Sequence, residues 1–372
     1  MSTIALLGVT GVTGGLVAAE AARRGHDLVV GARDVDAARA RLDELGVEAE
    51  LHRVDVTQPG GLAPLLSAAP VLVTTVGPFV ELGRPVAEAA ASAGVGYVDT
   101  TGEQPFLRWL DAELAASAAA AGARMVPAAG VDYLPGDLLS ARAGASVGLP
   151  RDVHVAYGLP RRADLLFGTT RGTRTSAGGV LDAPALALVD GRRVEERPGE
   201  ARRLAWFPRP VGPHHAAAIG GGEVLSVPRH LPSVRTVRTY LALPSLVAEG
   251  MQALAGAASV GAVGRALARG LLLPPEPSPT RRAEVRWACL AEVAGAEDEV
   301  ARAWAYGTDL YTTTAVTSVV VAERLALGTD ADGAELPVGV LSPAQLGDPG
   351  ALLDTIADRS DLRWSVARPD AS

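Results

Sequence analysis

Three glycines, Gly8, Gly11 and Gly14, stand between a short apolar run, Ile4-Ala5-Leu6-Leu7, and a stretch with helical character reaching about Arg24. Glycines placed this way suit a dinucleotide diphosphate. Gly8 permits a tight turn, Gly11 lets the backbone approach the phosphates, and Gly14 lets helix and strand pack closely. The helix N-terminus adds free N–H groups and the positive end of its dipole. Thr10, Val12 and Thr13 complete the expected cradle, the two threonines through their hydroxyls. The spacing is G-x-x-G-x-x-G rather than G-x-G-x-x-G, so the reading rests on the strand before the loop and the helix after it.

Further contacts to a dinucleotide are expected at the ends of later strands. The second strand closes on Gly31-Ala32-Arg33-Asp34. An arginine there suits the 2′-phosphate of NADP, and an acidic residue suits the ribose hydroxyls of NAD. Arg33 favours NADP, with Asp34 keeping NAD as the second reading. Asp55 and Val56, after the third strand, either flank the adenine or form a turn. Thr75, Val76 and Gly77, after the fourth, are expected over the nicotinamide ribose.

A dinucleotide enzyme that moves hydride also needs a proton source. Asp99, Glu103, Asp132 and Tyr133 are the candidates, with Tyr133 first and Asp132 second. All 34 basic residues are arginine. Without lysine there is no Schiff base and no Tyr-x-x-x-Lys pair of the short-chain dehydrogenase kind. The single Cys289 excludes an intramolecular disulfide and an iron–sulfur cluster. His214-His215 lies in an expected loop with no cysteine nearby, so no metal is expected. Gly172 to Gly179 reads as a helix start or a binding site for an anionic group. Leu246 to Leu273 is apolar but interrupted by Arg265 and Arg269. It reads as a packed helix, with association at a lipid surface as the lesser alternative.

These residues need elements to hold them. Strands are expected at Ile4–Leu7, Asp27–Gly31, Glu48–Val54, Pro70–Val76, Gly96–Val98 and Arg124–Pro127, with helices between them at about 35–45, 85–93 and 103–121. Alternation of this kind gives an α/β fold, a doubly wound parallel sheet of Rossmann type. Beyond residue 150, short β-like runs among arginine, proline and glycine indicate a second α+β domain with a mostly antiparallel sheet and a helical insert near 172–189. Strands at 284–293 and 299–306 and helices at 310–327 and 342–356 follow. The expected division is a nucleotide domain at 1–150, a substrate and dimerisation domain at 151–305, and a C-terminal segment at 306–372 returning to the first. The chain has 372 residues, 48% of them hydrophobic, and a formal charge of −8. That balance argues against a nucleic-acid partner. The N-terminus has no signal-peptide pattern, and the cysteine usage fits a cytoplasmic setting. A homodimer is expected for a soluble enzyme of this size.

Several segments together resemble one family. They are Gly8 to Gly14, Thr75-Val76-Gly77-Pro78-Phe79, Tyr97 to Glu103, Gly130-Val131-Asp132-Tyr133-Leu134-Pro135-Gly136-Asp137, and Gly339-Val340-Leu341-Ser342-Pro343-Ala344. They are similar to segments of the saccharopine dehydrogenase-like oxidoreductases, above all the trans-acting enoyl reductases of actinobacteria. Tyr133 stands where that family has serine, and the lysine chemistry of one saccharopine branch is absent. The resemblance implies an NADPH-dependent oxidoreductase that reduces a polarised double bond. An enoyl C=C of a small-molecule or carrier-bound substrate in specialised metabolism is the first expectation. Reduction of C=N, or amine oxidation in reverse, is the second. A non-catalytic NADP sensor is the alternative of another class.

Overall fold

The structure, a computed structural model, describes residues 2–58, 60–159, 169–170, 184–209, 211–242 and 277–367. In chain order the first part runs β1 (Thr3–Leu7), α1 (Val12–Arg23), β2 (Asp27–Ala32), α2 (Val35–Leu45), β3 (Glu50–Arg53), α3 (Ala63–Ala68), β4 (Val71–Thr74), α4 (Phe79–Ser92), β5 (Gly96–Asp99), α5 (Gln104–Trp109), α6 (Ala115–Ala120), β6 (Arg124–Val126) and α7 (Leu134–Gly144). There follow β7 (Pro150–Gly158), β8 (Ala185–Val189), β9 (Arg192–Glu196), β10 (Arg202–Trp206), β11 (Pro213–Ile219), α8 (Glu223–His230), β12 (Thr236–Ala242), α9 (Pro279–Ala283), β13 (Arg286–Gly295) and β14 (Val300–Thr308). The chain ends with α10 (Leu310–Leu327), β15 (Gly339–Val340), α11 (Pro349–Ala357) and β16 (Arg363–Ala367).

The chain forms two compact units. One comprises Met1–Thr101, Pro105–Leu134 and Tyr311–Ser360; the other comprises Gly102–Gln104, Pro135–Leu310 and Asp361–Ser372. The first holds a seven-stranded sheet in the order β15-β6-β5-β4-β1-β2-β3, with every pair parallel. The order reverses direction between β1 and β4, which is where doubly wound sheets open a ligand crevice at their carboxyl ends. Ile4, Ala5, Leu6, Val71, Leu72, Val73, Tyr97 and Val98 are fully inaccessible to water. Continuous apolar runs such as these are what a sheet covered on both faces requires. Each large aliphatic side chain so buried contributes about 1.5–3 kcal/mol.

Local chemistry sets the helix ends. Asp34 caps α2 by accepting from Ala37 N at 2.9 Å, and Gly46 ends that helix at φ 65°. The helix expected at 85–93 starts earlier, at Phe79, because Pro78 precedes its first turn and Pro85 is accommodated inside it. The helix expected at 103–121 forms with a π turn, Leu110–Leu114, between α5 and α6. The single helix expected over 342–356 is two pieces. A 3-10 turn at Pro343–Gln345 is separated from α11 by Gly347 at φ 119°, a conformation L residues avoid, and Asp348 caps the new helix.

In the second unit the sheet order is β10-β11-β12-β7-β13-β14-β16, antiparallel except where β12 pairs with β7. The insert read as helical near 172–189 is corrected in its described part. Ala185–Val189 is a strand that turns at Asp190-Gly191, both at positive φ, into β9. An Asp-Gly pair with that backbone is the two-residue hairpin turn. His214-His215 lies on β11, not in a loop. The C-terminal segment divides: α10, β15 and α11 join the first unit, while β16 pairs with β14 in the second. Among the described residues no helix is long and apolar enough to cross a membrane. Leu246 to Leu273 and Gly172 to Gly179 lie outside the described residues.

Candidate functional site: the carboxyl edge of the parallel sheet

β1 runs into Gly8 at φ 96°. A Cβ on Gly8 would lie 2.4 Å from Thr75 Oγ1, and one on Gly14 would lie 2.1 Å from the Gly8 carbonyl oxygen. Both glycines are therefore demanded by the protein's own packing. Gly11 differs: a Cβ there would meet only the Gly8 oxygen, at 3.4 Å, and the residue is exposed. Gly11 N donates to that oxygen at 3.0 Å. It is the N-cap of α1, has φ −80°, and brings no side chain to the helix end; the first turn has no acidic residue. The N-terminus of α1 thus faces outward beside an open glycine. That arrangement suits an anion, because first-turn N–H groups have no partner within the helix. Thr10 is exposed, and Val12 and Thr13 are half-buried at the same helix end.

Thr75 locks β4 to β1. Its N donates to Leu7 O at 3.0 Å and its Oγ1 to the same oxygen at 3.2 Å. Val76 N donates to Thr74 Oγ1 at 3.3 Å, and Gly77 follows, exposed. These residues come level with the glycine loop because β4 is the direct neighbour of β1.

On the other side of β1, Arg33 is exposed just beyond β2. Asp34, read as the alternative ribose ligand, has its carboxylate occupied as the cap of α2. Asp55 accepts from Thr57 N at 3.0 Å and from Thr57 Oγ1 at 2.7 Å, the geometry of an Asx turn. These bonds, with a smaller contribution from the Arg33 charge, hold its carboxyl below the usual range. Val56 beside it is buried. Arg53 belongs to no motif in the sequence. It stands at the tip of β3, opposite Ala32 in the register, and its Nη1 donates to the Arg33 carbonyl at 2.9 Å. Adjacency of the second and third strands, a standard feature of this topology, is the signal that could have found it.

Asp132 and Tyr133 lie in the loop after β6, on the same carboxyl edge. The loop is pinned from several directions. Asp99, wholly buried, accepts from Thr101 N at 2.9 Å and Ala128 N at 2.8 Å through Oδ1, and its carbonyl accepts from Ala129 N at 2.7 Å. From α10, Thr317 Oγ1 donates to Ala129 O at 2.6 Å, and Thr314 Oγ1 accepts from Val131 N at 3.3 Å. Asp99 is therefore a structural clamp in this arrangement. Asp132 ends up with an exposed side chain, yet protein surrounds it closely enough that lost solvation raises its carboxyl to about 6. Tyr133 is buried next to it. Glu103 is buried and groups with the second unit.

The second unit has a buried polar cluster of its own, and sequence reading gave no sign of it. Glu223, at the start of α8, accepts from Tyr157 Oη at 2.5 Å and Thr239 Oγ1 at 2.8 Å; Tyr157 Oη in turn accepts from Gly136 N at 3.1 Å. Burial raises the Glu223 carboxyl to about 8. Cys289 is buried nearby, and burial pushes its thiol up. Asp137 meets His230 Nε2 at 3.0 Å. No group of three metal-ligating side chains occurs among the described residues.

Comparisons with known proteins agree with this geometry. Residues 4–126 match the family model described as the saccharopine dehydrogenase NADP binding domain. A Mycobacterium tuberculosis protein named for trans-acting enoyl reductase activity is 31% identical over 221 residues, 58% of this chain and 50% of that protein. The trans-acting enoyl reductase of Mycobacterium ulcerans is 38% identical over 140 residues, 36% of this chain and 34% of that protein. This chain spans between a third and a half of the length of these relatives. The solved structure of apo saccharopine dehydrogenase (L-Glu forming) from Saccharomyces cerevisiae superposes with a TM-score of 0.64, covering 99% of this chain and 100% of that one. At 15% identity that likeness shows the fold. Residues 4–126 therefore form an NADP-type dinucleotide-binding domain, and in that domain and in its fold the chain carries the likeness to the saccharopine dehydrogenase-like oxidoreductases that its motifs announce.

Proposed function

We propose that this chain is an NADPH-dependent oxidoreductase that reduces a polarised double bond, an enoyl C=C in a specialised-metabolite pathway. The observation that carries the reading is the outward-facing α1 N-terminus beside Gly11, the one glycine of the loop that the protein's own packing does not require. In this reading Gly8, Thr10, Gly11, Val12, Thr13 and Gly14 hold the diphosphate, Arg33 the 2′-phosphate, Asp55 and Val56 flank the adenine, and Thr75, Val76 and Gly77 line the nicotinamide ribose. Bound NADPH supplies a hydride to the electron-poor carbon. Charge then develops toward the acyl oxygen and the neighbouring carbon, and a proton must reach it. Asp132 and Tyr133 are the proton-bearing groups offered by the loop after β6. A carboxyl at about 6 still carries its proton in part of the molecules near neutrality, and it can be reloaded from solvent.

The enoyl substrate class follows the names of the relatives, and a small-molecule or carrier-bound acyl group would serve. The working assembly in this reading is a cytoplasmic homodimer, the commonest closed assembly of soluble proteins. The test has two stages. Calorimetric titration with NADPH should show binding, and oxidation of NADPH should then follow with members of a panel of enoyl thioesters. Turnover only with amine-plus-keto-acid pairs would move the reaction to C=N. Tight NADPH binding with no turnover in either panel would leave a dinucleotide sensor. Absence of binding by either nicotinamide dinucleotide would sink the reading.

A further inference from the structure

We propose that Arg53 is the second arm of a two-arginine clamp for the 2′-phosphate, and that this chain's preference between NADPH and NADH depends on it as much as on Arg33. The inference rests on the NADPH reading above and extends it to a residue that the glycine motif and the second-strand tip do not reveal.

Register comes first. β2 and β3 are parallel neighbours with Ala32 opposite Arg53, so the Arg53 side chain leaves its strand one residue short of the level of Arg33. The two are joined directly: Arg53 Nη1 donates to the Arg33 carbonyl at 2.9 Å. A guanidinium has five donors, so the rest of the fork remains available to a ligand. Both residues are exposed.

Charge comes second. Arg53 brings a second cation to the backbone of Arg33. Here the nearby acids have other partners: Asp34 caps α2, Asp55 takes both bonds of Thr57, and Glu50 pairs with His52 at 2.9 Å. Among the described residues neither Arg33 nor Arg53 has a carboxylate within ion-pair distance, although the Arg33 charge is felt at Asp55. With no close ion pair made, donors of both guanidinium groups remain for an anion. A phosphate monoester, doubly charged and able to take two forks, fits those donors far better than a ribose hydroxyl pair would.

Position comes third. The glycine loop leaves β1, and β2 is its immediate neighbour. A dinucleotide with its diphosphate at the α1 N-terminus carries its adenosine ribose toward the tip of β2. Arg53, at the tip of the neighbouring strand β3, borders that ribose position.

The test is a calorimetric titration of NADPH and NADH into the full chain and into its Arg33→Ala and Arg53→Gln variants. Arg53→Gln should lose about ten- to a hundredfold in NADPH affinity while its NADH affinity stays unchanged, and the salt dependence of NADPH binding should flatten. Arg53→Lys, which keeps the charge but not the fork, should fall between the two. Unchanged NADPH affinity in Arg53→Gln would overturn the proposal. Equal weakening of both dinucleotides would overturn it too, since Arg53 would then act only by holding the Arg33 carbonyl. A wild-type chain that binds neither dinucleotide would instead dismiss the NADPH reading itself.

Discussion

Gly11 and Gly14 lie three residues apart in one loop and answer to different constraints. A side chain at Gly14 collides with the Gly8 carbonyl, whereas the Cβ of one at Gly11 would make only an ordinary contact with the Gly8 oxygen, at 3.4 Å. Gly14→Ala should destabilise the first unit by about 1–3 kcal/mol or more through overpacking. Gly11→Val should leave thermal stability within about 1 kcal/mol, since extended backbone at φ −80° suits valine and only a helix cap preference is lost. The same variant should weaken NADPH binding at least about tenfold by intruding on the diphosphate. Melting curves paired with calorimetry check both halves. Asp132 is a second case in which surroundings set the role. With its carboxyl raised to about 6, a donor role requires the protonated form, so kcat/KM for reduction should fall as pH rises above about 6. Asp132→Asn should abolish that limb of the profile and lower the rate while the Kd for NADPH stays put. A profile that is unchanged in the variant would transfer the donor role to Tyr133 or to water.

At the scale of elements, the feature that matters most is how α10, through contacts that span 183 and 188 residues of chain, holds the loop after β6. Its buried Thr317 hydroxyl donates to Ala129 O, and its Thr314 hydroxyl takes Val131 N. Thr317→Val keeps the shape and removes the donor. It should cost about 1–3 kcal/mol through the buried carbonyl it leaves short of a partner. It should also lower kcat more than it changes KM or NADPH affinity, because the loop carrying Asp132 loosens while the glycine loop does not. A loss of stability with kcat intact would show that the helix braces the fold alone. The apolar run Ala185–Val189 has the residue types of either a helix or a strand, and the Asp190-Gly191 pair beyond it was the local clue to a hairpin. The prolines and glycines flanking His214-His215 suggest a loop, yet pairing with Leu204 and Ala205 of β10 makes it strand.

At the scale of the whole molecule, each unit is organised around one sheet, and the second has a buried carboxyl at its centre. Glu223 sits where a Cβ on Gly136 or on Gly221 would come within 2.5 or 2.6 Å of its oxygens, so two backbones have been cleared for it. Burial raises its carboxyl from an ordinary 4.5 to about 8. The folded chain therefore holds this proton more tightly than the unfolded chain does. The stability so gained is fully present below about 4.5 and is lost as pH rises through about 8. The melting temperature of the second unit should decline between about pH 5 and pH 9, and Glu223→Gln should flatten that slope and exceed the wild type at the alkaline end. A slope that survives the substitution would assign it to other groups.

The parallel sheet, the glycine loop and the class of ligand were legible in the chain because they follow from local rules. Apolar runs mark buried strands, glycine alone takes the φ of Gly8, and a helix end without a capping side chain invites an anion. The roles of the charged side chains were not legible. Asp34, Asp55, Asp99 and Asp132 are the same residue type near the ends of neighbouring strands. Only the folded chain makes one a helix cap, one an Asx turn, one a buried clamp and one an exposed carboxyl raised toward neutrality. Arg53 reaches Arg33, and Thr317 reaches Ala129, through strand order and register. Those are properties of segments distant in sequence, and local preference has no hold on them.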